Sequence, residues 1–296
     1  MITTLGLLVN PHRALDLEPA LRRIAKLCAE RGMRVIASAD ARAAVPWIDS
    51  APMDGLLSQS DALMVVGGDG TILHAASHAA RAGLPILGVH AGHKGFLSET
   101  APGSLESALD SLRAGDYHIE DRMMLAASLD AADMIEPPGA PCPPCYLLAL
   151  NDVVLTRGSY GRMIRVTAAM GSVEIGGYSG DGMIVSSPTG STGYSLSTGG
   201  PIVSPALACI LLSPICPHSP QSRQIVLPDS AVLTLDAKCP TEGGGMLLTA
   251  DGRAPLTLGR SARLTVRRAE ERLRFIRMRP FPFFERMRAA LSQWNA

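Results

Sequence analysis

The sequence predicts an α/β N-terminal domain with a parallel sheet, a β-rich C-terminal domain, and a C-terminal helix that returns to the first domain. Three observations predict it. Residues 1–122 alternate short apolar runs with amphipathic stretches, the order expected of a parallel sheet with helices on both sides. Residues 123–268 are strand-like pieces separated by glycine turns, the pattern of a mostly antiparallel sheet. Residues 269–296 return to a helical period in "FPFFERMRAALSQWNA", and a lone helix of that length is marginal unless it packs.

The elements follow in order. "TLGLLV" reads as a strand. "DLEPALRRIAKLCAERG" reads as a helix, with Leu17, Leu21, Ile24 and Leu27 near helical spacing and Gly32 as its stop. "RVIAS" is a second strand. "DALMVVGG" is a continuous apolar run, as expected of a strand covered on both faces. "TILHAASHAARAG" is a helix and "PILGVH" another strand. Beyond residue 122, "LLALNDVVLTRG", "MIRVTAAMG", "SVEIGG", "GMIVSS", "AVLTLDAK", "MLLTADG" and "ARLTVRR" supply the second domain. Proline-rich "IEPPGAPCPPC" is a loop between two of its strands.

Composition narrows the function. The 27 basic and 27 acidic residues balance, which argues against a broad nucleic-acid or anionic-membrane surface while leaving room for a local cationic pocket. The opening apolar run is too short for a signal peptide, and no apolar run suggests a membrane span. Six scattered cysteines suit reduced thiols in the cytoplasm. Cys142 and Cys145 form a lone CxxC without a second ligand pair or a helix start, so no metal site is expected there.

"LMVVGGDGTILHAA" puts Gly67, Gly68, Asp69, Gly70 and Thr71 at a strand-to-helix turn. A helix start offers free N–H groups and the positive end of a dipole, so it suits phosphate. Glycines on both sides of Asp69 let a ligand approach the backbone. Asp69 also fits a plain N-cap beside a turn. Neither a Gly-Lys pair nor a GxGxxG occurs, so the loop is neither a P-loop nor an ordinary dinucleotide fingerprint.

"GGDGT" is shared by the superfamily of NAD kinases, diacylglycerol and sphingosine kinases and, more distantly, 6-phosphofructokinases. "VNP" at 9–11 fits as well. "GDGMIVSSPTGSTGYSLSTGGPIVSP" resembles the NAD kinase signature, which lipid kinases lack. "GFLSE" at 95–99, "LNDVVL" at 150–155, "LLSPICPHS" at 211–219, "ADG" at 250–252 and "FFERMRAALSQW" agree, so the resemblance spans nearly the whole chain.

The resemblance implies transfer of the γ-phosphoryl of ATP, with Mg²⁺ or another divalent metal, to the 2′-hydroxyl of the adenosine ribose of NAD. It makes Asp69 the base, and Gly67, Gly68, Gly70 and Thr71 the ATP phosphate loop. It assigns the dinucleotide to Asp69, Gly70, His74, Phe96, Asn151, Asp152, Arg162, Asp181, Thr189, Thr192, Gly193, Tyr194, Ser195, Ser197 and Arg253. The chemistry suits those residues: a carboxylate accepts from a vicinal diol, an amide donates and accepts, and hydroxyls do both. Taken alone, Asn151–Asp152 also fits a turn before a strand, and the Gly/Ser stretch an ordered turn system. His74 and His78 stand one helical turn apart without a third ligand, and His78 reads as an ordinary helix residue.

Four positions depart from the family pattern: His90 for Asn, Lys94 for an apolar residue, Ser179 where Arg often precedes Gly-Asp-Gly, and Arg253 where Gln is usual. The resemblance also implies a homodimer or homotetramer that binds NAD and ATP, without nucleic acid or membrane as partners. The rival readings are a lipid kinase of the same superfamily and a nucleotide-binding regulatory protein with little turnover.

Overall fold

The computed structural model describes residues 1–90, 95–129, 133–135, 146–158, 163–240 and 244–294. Lys94, the Cys142–Cys145 pair and Arg162 lie outside them. The chain forms two compact units, Met1–Asp121 with Arg272–Ala296, and Arg122–Glu271.

The first unit is built on parallel strands β1 (Thr4–Val9), β2 (Arg34–Ala37), β3 (Asp49–Ser50), β4 (Ala62–Gly67) and β5 (Ile86–His90), in spatial order β3-β2-β1-β4-β5. Every residue of β4 is buried, so both of its faces are covered, as its unbroken apolar sequence requires. Helix α1 (Glu18–Glu30) turns Leu21, Ile24, Leu27 and Cys28 inward. Together with α2 (Ala39–Ala44) and α5 (Leu105–Ala114) it buries the face that carries Leu5, Leu7, Met64 and Leu87. Helices α3 (Met53–Gln59) and α4 (Asp69–Ala82) cover the other face, where Leu56 and Ile72 approach Gly6 and Gly88. The sequence reading passed over α5, whose ten residues bury Leu105, Ala108, Leu109 and Leu112 at helical spacing, and over α2, α3 and β3. The last three are six, seven and two residues long, too short for a period to register.

The second unit is antiparallel. Strands β6 (His118–Leu129) and β7 (Tyr146–Ala149) pair with each other. Next come β8 (Asp152–Arg157), β9 (Ile164–Met170), β10 (Val173–Gly180), β11 (Gly182–Ser186), the single turn α6 (Tyr194–Ser197) and β12 (Cys209–Ile215). Strands β13 (Ile225–Pro228), β14 (Val232–Lys238), β15 (Met246–Ala250), β16 (Leu256–Leu258) and β17 (Ser261–Arg277) complete it, β17 passing into the first unit at Arg272. One sheet runs β10-β9-β14-β17 and the other β13-β12-β11-β8-β15-β16. Ile164, Val166, Leu233, Leu235 and Leu264 of the first share a core with Val153, Leu155, Met183, Val185 and Leu212 of the second.

Strands β9 and β14 alternate buried and open residues, as a one-sided sheet should, whereas β11 and β12 are buried at every residue. Their second face is covered by the Gly/Ser-rich chain that follows β11. Ser195 of that chain meets Ser213 of β12, and Val203 packs on Cys209 and Leu211. Elsewhere, "LLALNDVVLTRG" is not one strand: it breaks at Leu150–Asn151 into β7 and β8. The closing helix α7 (Phe283–Trp294) belongs to the first unit. None of the described helices is long and apolar enough to cross a membrane.

Candidate active site

In the first unit, β4 ends at Gly67 and α4 starts at Asp69, with Gly68 as the N-cap residue. Asp69 is therefore the first residue of the helix and does not cap it. Its carboxylate turns instead to the irregular segment after residue 94, where Phe96 N–H donates to Oδ2 at 2.8 Å and Leu97 N–H to Oδ1 at 3.0 Å. Gly95 permits the approach, because a Cβ there would stand 2.1 Å from Asp69 Oδ1. Gly68 and Gly70 are exposed and face open space on their side-chain side. Thr71 N–H donates to Gly68 O at 3.0 Å, which leaves the N–H groups of Asp69 and Gly70 as the donors at the head of α4. His74 and His78 are exposed on α4, their rings 6.5 Å apart.

In the second unit, a buried carboxylate makes the break between β7 and β8. Asp251 accepts from the N–H groups of Leu150 at 2.7 Å, Asn151 at 2.7 Å and Asp152 at 3.2 Å. These amides are turned to the carboxylate, so β7 ends, Leu150 and Asn151 lie outside both strands, and β8 resumes at Asp152. Asp251 itself holds φ 53°, a left-handed conformation that Asp tolerates better than most residues. Asp152 is only 6% exposed. Burial, and then the charge of Asp251, push its carboxyl up to about 7. Burial also raises Asp251, against its three N–H donors and Arg253.

The Gly/Ser chain is laid against that turn. Ser187 N–H donates to Asn151 O at 2.8 Å, and a Cβ on Gly190 would stand 2.1 Å from the same oxygen. The Cα of Gly193 lies against Asn151 Nδ2 and Asp152 Oδ2, where a Cβ would come within 3.3 and 3.8 Å of them. Many hydroxyls are spent inside the chain. Ser191 Oγ donates to Pro188 O and accepts from Val203 N–H at 3.0 Å, and Ser195 Oγ lies 3.0 Å from Ser213 Oγ. Thr192 Oγ1 donates to Thr189 O. Tyr194 and Ser197 are exposed. One acceptor stands out: Asn151 Oδ1 is buried and has no hydrogen-bond partner among the described residues.

Asp181 lies between β10 and β11 and pairs with Arg157 at 2.7 Å. Arg253 donates from Nε to Ala250 O at 3.0 Å and from a terminal nitrogen to Leu148 O, so it ties β15 to β7. Sequence reasoning missed Arg157, Asp251 as a clamp, and Arg122, which is 2% exposed and donates to Thr189 Oγ1 at 3.3 Å. Only the "ADG" motif pointed at any of them. The others come from strand pairing, which no local pattern reports.

A parallel α/β unit whose sheet ends in a glycine-flanked carboxylate, joined in one chain to a β-rich unit with a buried carboxylate beside a buried amide oxygen, is the arrangement expected from the resemblance to kinases of the GGDGT type. Comparison with known proteins narrows the class. A family model of the ATP-NAD kinase N-terminal domain matches residues 48–117, and one of the C-terminal domain matches residues 150–278. An NAD kinase of Heliobacterium modesticaldum is 41% identical over 98% of this chain and 99% of its own. A yeast NADH kinase solved with NADH superposes with a TM-score of 0.84 at 23% identity, over 100% of this chain and 89% of that one. An NAD kinase of Archaeoglobus fulgidus solved with ATP gives 0.67 at 23% identity, over 98% and 97%. The two solved structures support the fold; the family models and the relative assign the family. The chain belongs to the NAD kinase family.

Proposed function

We propose that this protein transfers the γ-phosphoryl group of ATP to the 2′-hydroxyl of the adenosine ribose of NAD, giving NADP and ADP. ATP enters as its Mg²⁺ complex, in which the cation neutralises phosphate charge. The observation that carries the reading is the buried, unpartnered Asn151 Oδ1 next to the buried Asp152 carboxylate. A buried acceptor without a donor costs about 1–3 kcal/mol, and a ribose diol is a ligand that supplies donors to both groups.

The residues then take distinct tasks. Gly67, Gly68, Gly70 and Thr71 present the start of α4 to the ATP phosphates. Asp69 accepts the 2′-hydroxyl proton as the new O–P bond forms and the bond from the γ-phosphorus to the bridging oxygen breaks. Asn151 and Asp152 hold the diol. Asp181, Thr189, Thr192, Gly193, Tyr194 and Ser197 line the dinucleotide. Ser195, fully buried, contributes by fixing the loop through Ser213. His74, Phe96 and Arg162 complete the contacts, and Arg253 acts through the strands it ties. The protein works as a homodimer or homotetramer, which light scattering tests.

The deciding experiment incubates purified protein with Mg²⁺ and ATP and with NAD, diacylglycerol or sphingosine as acceptor. NADP formation with NAD alone is expected. Phosphorylation of a lipid instead, or tight NAD binding without NADP, overturns the reading.

A further inference from the structure

The segment 95–97 that holds Asp69 belongs to no helix or strand, so its backbone groups need partners from elsewhere. Asp69 takes two of the N–H groups. The carbonyls are taken by arginines from the end of the chain. Arg286 of α7 donates from one terminal nitrogen to Gly95 O at 2.8 Å and to Phe96 O at 3.3 Å. Arg277 donates to Leu97 O at 3.2 Å. All of these residues lie in the first unit.

The two arginines are built in. Arg277 is fully buried and pairs with Glu120 at 2.6 Å and Glu99 at 3.1 Å. Arg286 is 9% exposed. Both guanidinium groups stack on the ring of Phe281, at 4.7 and 5.0 Å from its centroid. Burial and the neighbouring Arg277 both disfavour the charge on Arg286, while Glu99 and Asp69 offset them. A lysine in its place presents a point charge on a flexible stem and loses the planar group that stacks on Phe281.

We infer that Arg286 is a positioning residue for Asp69. It grips the carbonyl edge of residues 95 and 96, and this aims the amide edge of residues 96 and 97 at the carboxylate. The inference rests on the reading of Asp69 as the base. The closing helix thereby takes part in catalysis without touching substrate. Loosening the grip does two separable things. It misplaces the carboxylate, and displacements near 1 Å cost about a hundredfold in rate. It also weakens N–H donation from Phe96 and Leu97 to the Asp69 carboxylate, which opens both amides to exchange with solvent.

The test is Arg286→Lys, with Phe281→Leu as a second variant that removes the stacking ring and keeps the guanidinium. Steady-state kinetics and amide hydrogen exchange at Phe96 and Leu97 are measured on folded protein. Expected are a fall in kcat of about ten- to a hundredfold with KM for NAD little changed, and faster exchange at both amides. In an Asp69→Asn background, Arg286→Lys should cost no further activity. Unchanged kcat and exchange in both variants overturn the inference, as does a fall in thermal stability with kcat and exchange intact. Failure of the base reading looks different: Asp69→Asn alone then turns over normally, whatever Arg286→Lys does to the amides.

Discussion

The two units solve one problem in two ways. Each needs irregular backbone held still, and each uses a carboxylate that accepts from consecutive backbone amides. In the first unit Asp69 is both the clamp and the proposed base, and it stays partly open to solvent. In the second unit the tasks are divided: Asp251 clamps residues 150–152, and Asp152 is the proposed ligand contact. Chemistry and positioning are therefore fused at residue 69 and separable at residues 152 and 251. Hydrogen bonds to a charged acceptor are about twice as strong as neutral ones, which is why a carboxylate suits the clamp in both places.

The sharpest break is at the fused position. Asp69→Asn should lower turnover by about 10²–10⁴-fold, since an amide cannot take the ribose proton. Its NH₂ would also oppose one of the two amides, so a modest fall in melting temperature should accompany it. NADP formation and a thermal melt measure the two effects. A folded variant with near-normal turnover would remove Asp69 from the mechanism.

The next break separates ligand from clamp. Asp152→Ala should weaken NAD about ten- to a hundredfold, from the roughly 1.5–3 kcal/mol of a hydrogen bond to a charged group, and leave the KM for ATP nearly unchanged. Calorimetric titration with NAD, beside steady-state titration of both substrates, checks it. An equal loss for both substrates would mean the turn has collapsed. Asp251→Asn should behave differently. One oxygen is replaced by a donor that faces Leu150 N–H, so thermal stability falls together with NAD affinity. If Asp251→Asn weakened NAD with no change in melting temperature, its role as a clamp would be wrong.

The smallest effect concerns pH. Asp152 titrates near 7, above the ordinary carboxylate value of 3.8. In the proposed binding mode its ionised form accepts from the diol, so NAD affinity should fall several-fold as pH drops from about 8 to about 6. Asp152→Asn should flatten that dependence. Because the charge of Asp251 helps raise Asp152, Asp251→Asn should move the midpoint to lower pH. For stability the sign is opposite. The folded state holds this proton more tightly than the unfolded chain, so Asp152 favours folding below the ordinary carboxylate range. That contribution is lost as pH rises through about 7. Melts of wild type and Asp152→Asn across this window measure it.

Apolar periodicity and glycine punctuation carried the fold class a long way. Strand β4, helix α4 and strand β9 are local patterns, and they form where the periods put them. The break between β7 and β8 was invisible in "LLALNDVVLTRG", because its cause, Asp251, lies about a hundred residues further on. The hydroxyls of the Gly/Ser chain were legible as a group and not one by one. Whether Ser195 points to solvent or to Ser213 depends on which strand lies beneath it.

Sequence alone determined the alternation of elements, the carboxylate at the head of α4, and the stretch dense in small residues and hydroxyls. These follow from side-chain period, from φ preference and from residue chemistry, all of which act within a few residues. Tertiary structure alone decided what each carboxylate holds. Asp69 reaches amides 27 and 28 residues away, Asp251 reaches back 99 to 101 residues, and Arg286 closes on carbonyls 190 and 191 residues before it. Such partners are chosen by the demand that buried backbone groups be satisfied, and that demand exists only once the chain has packed.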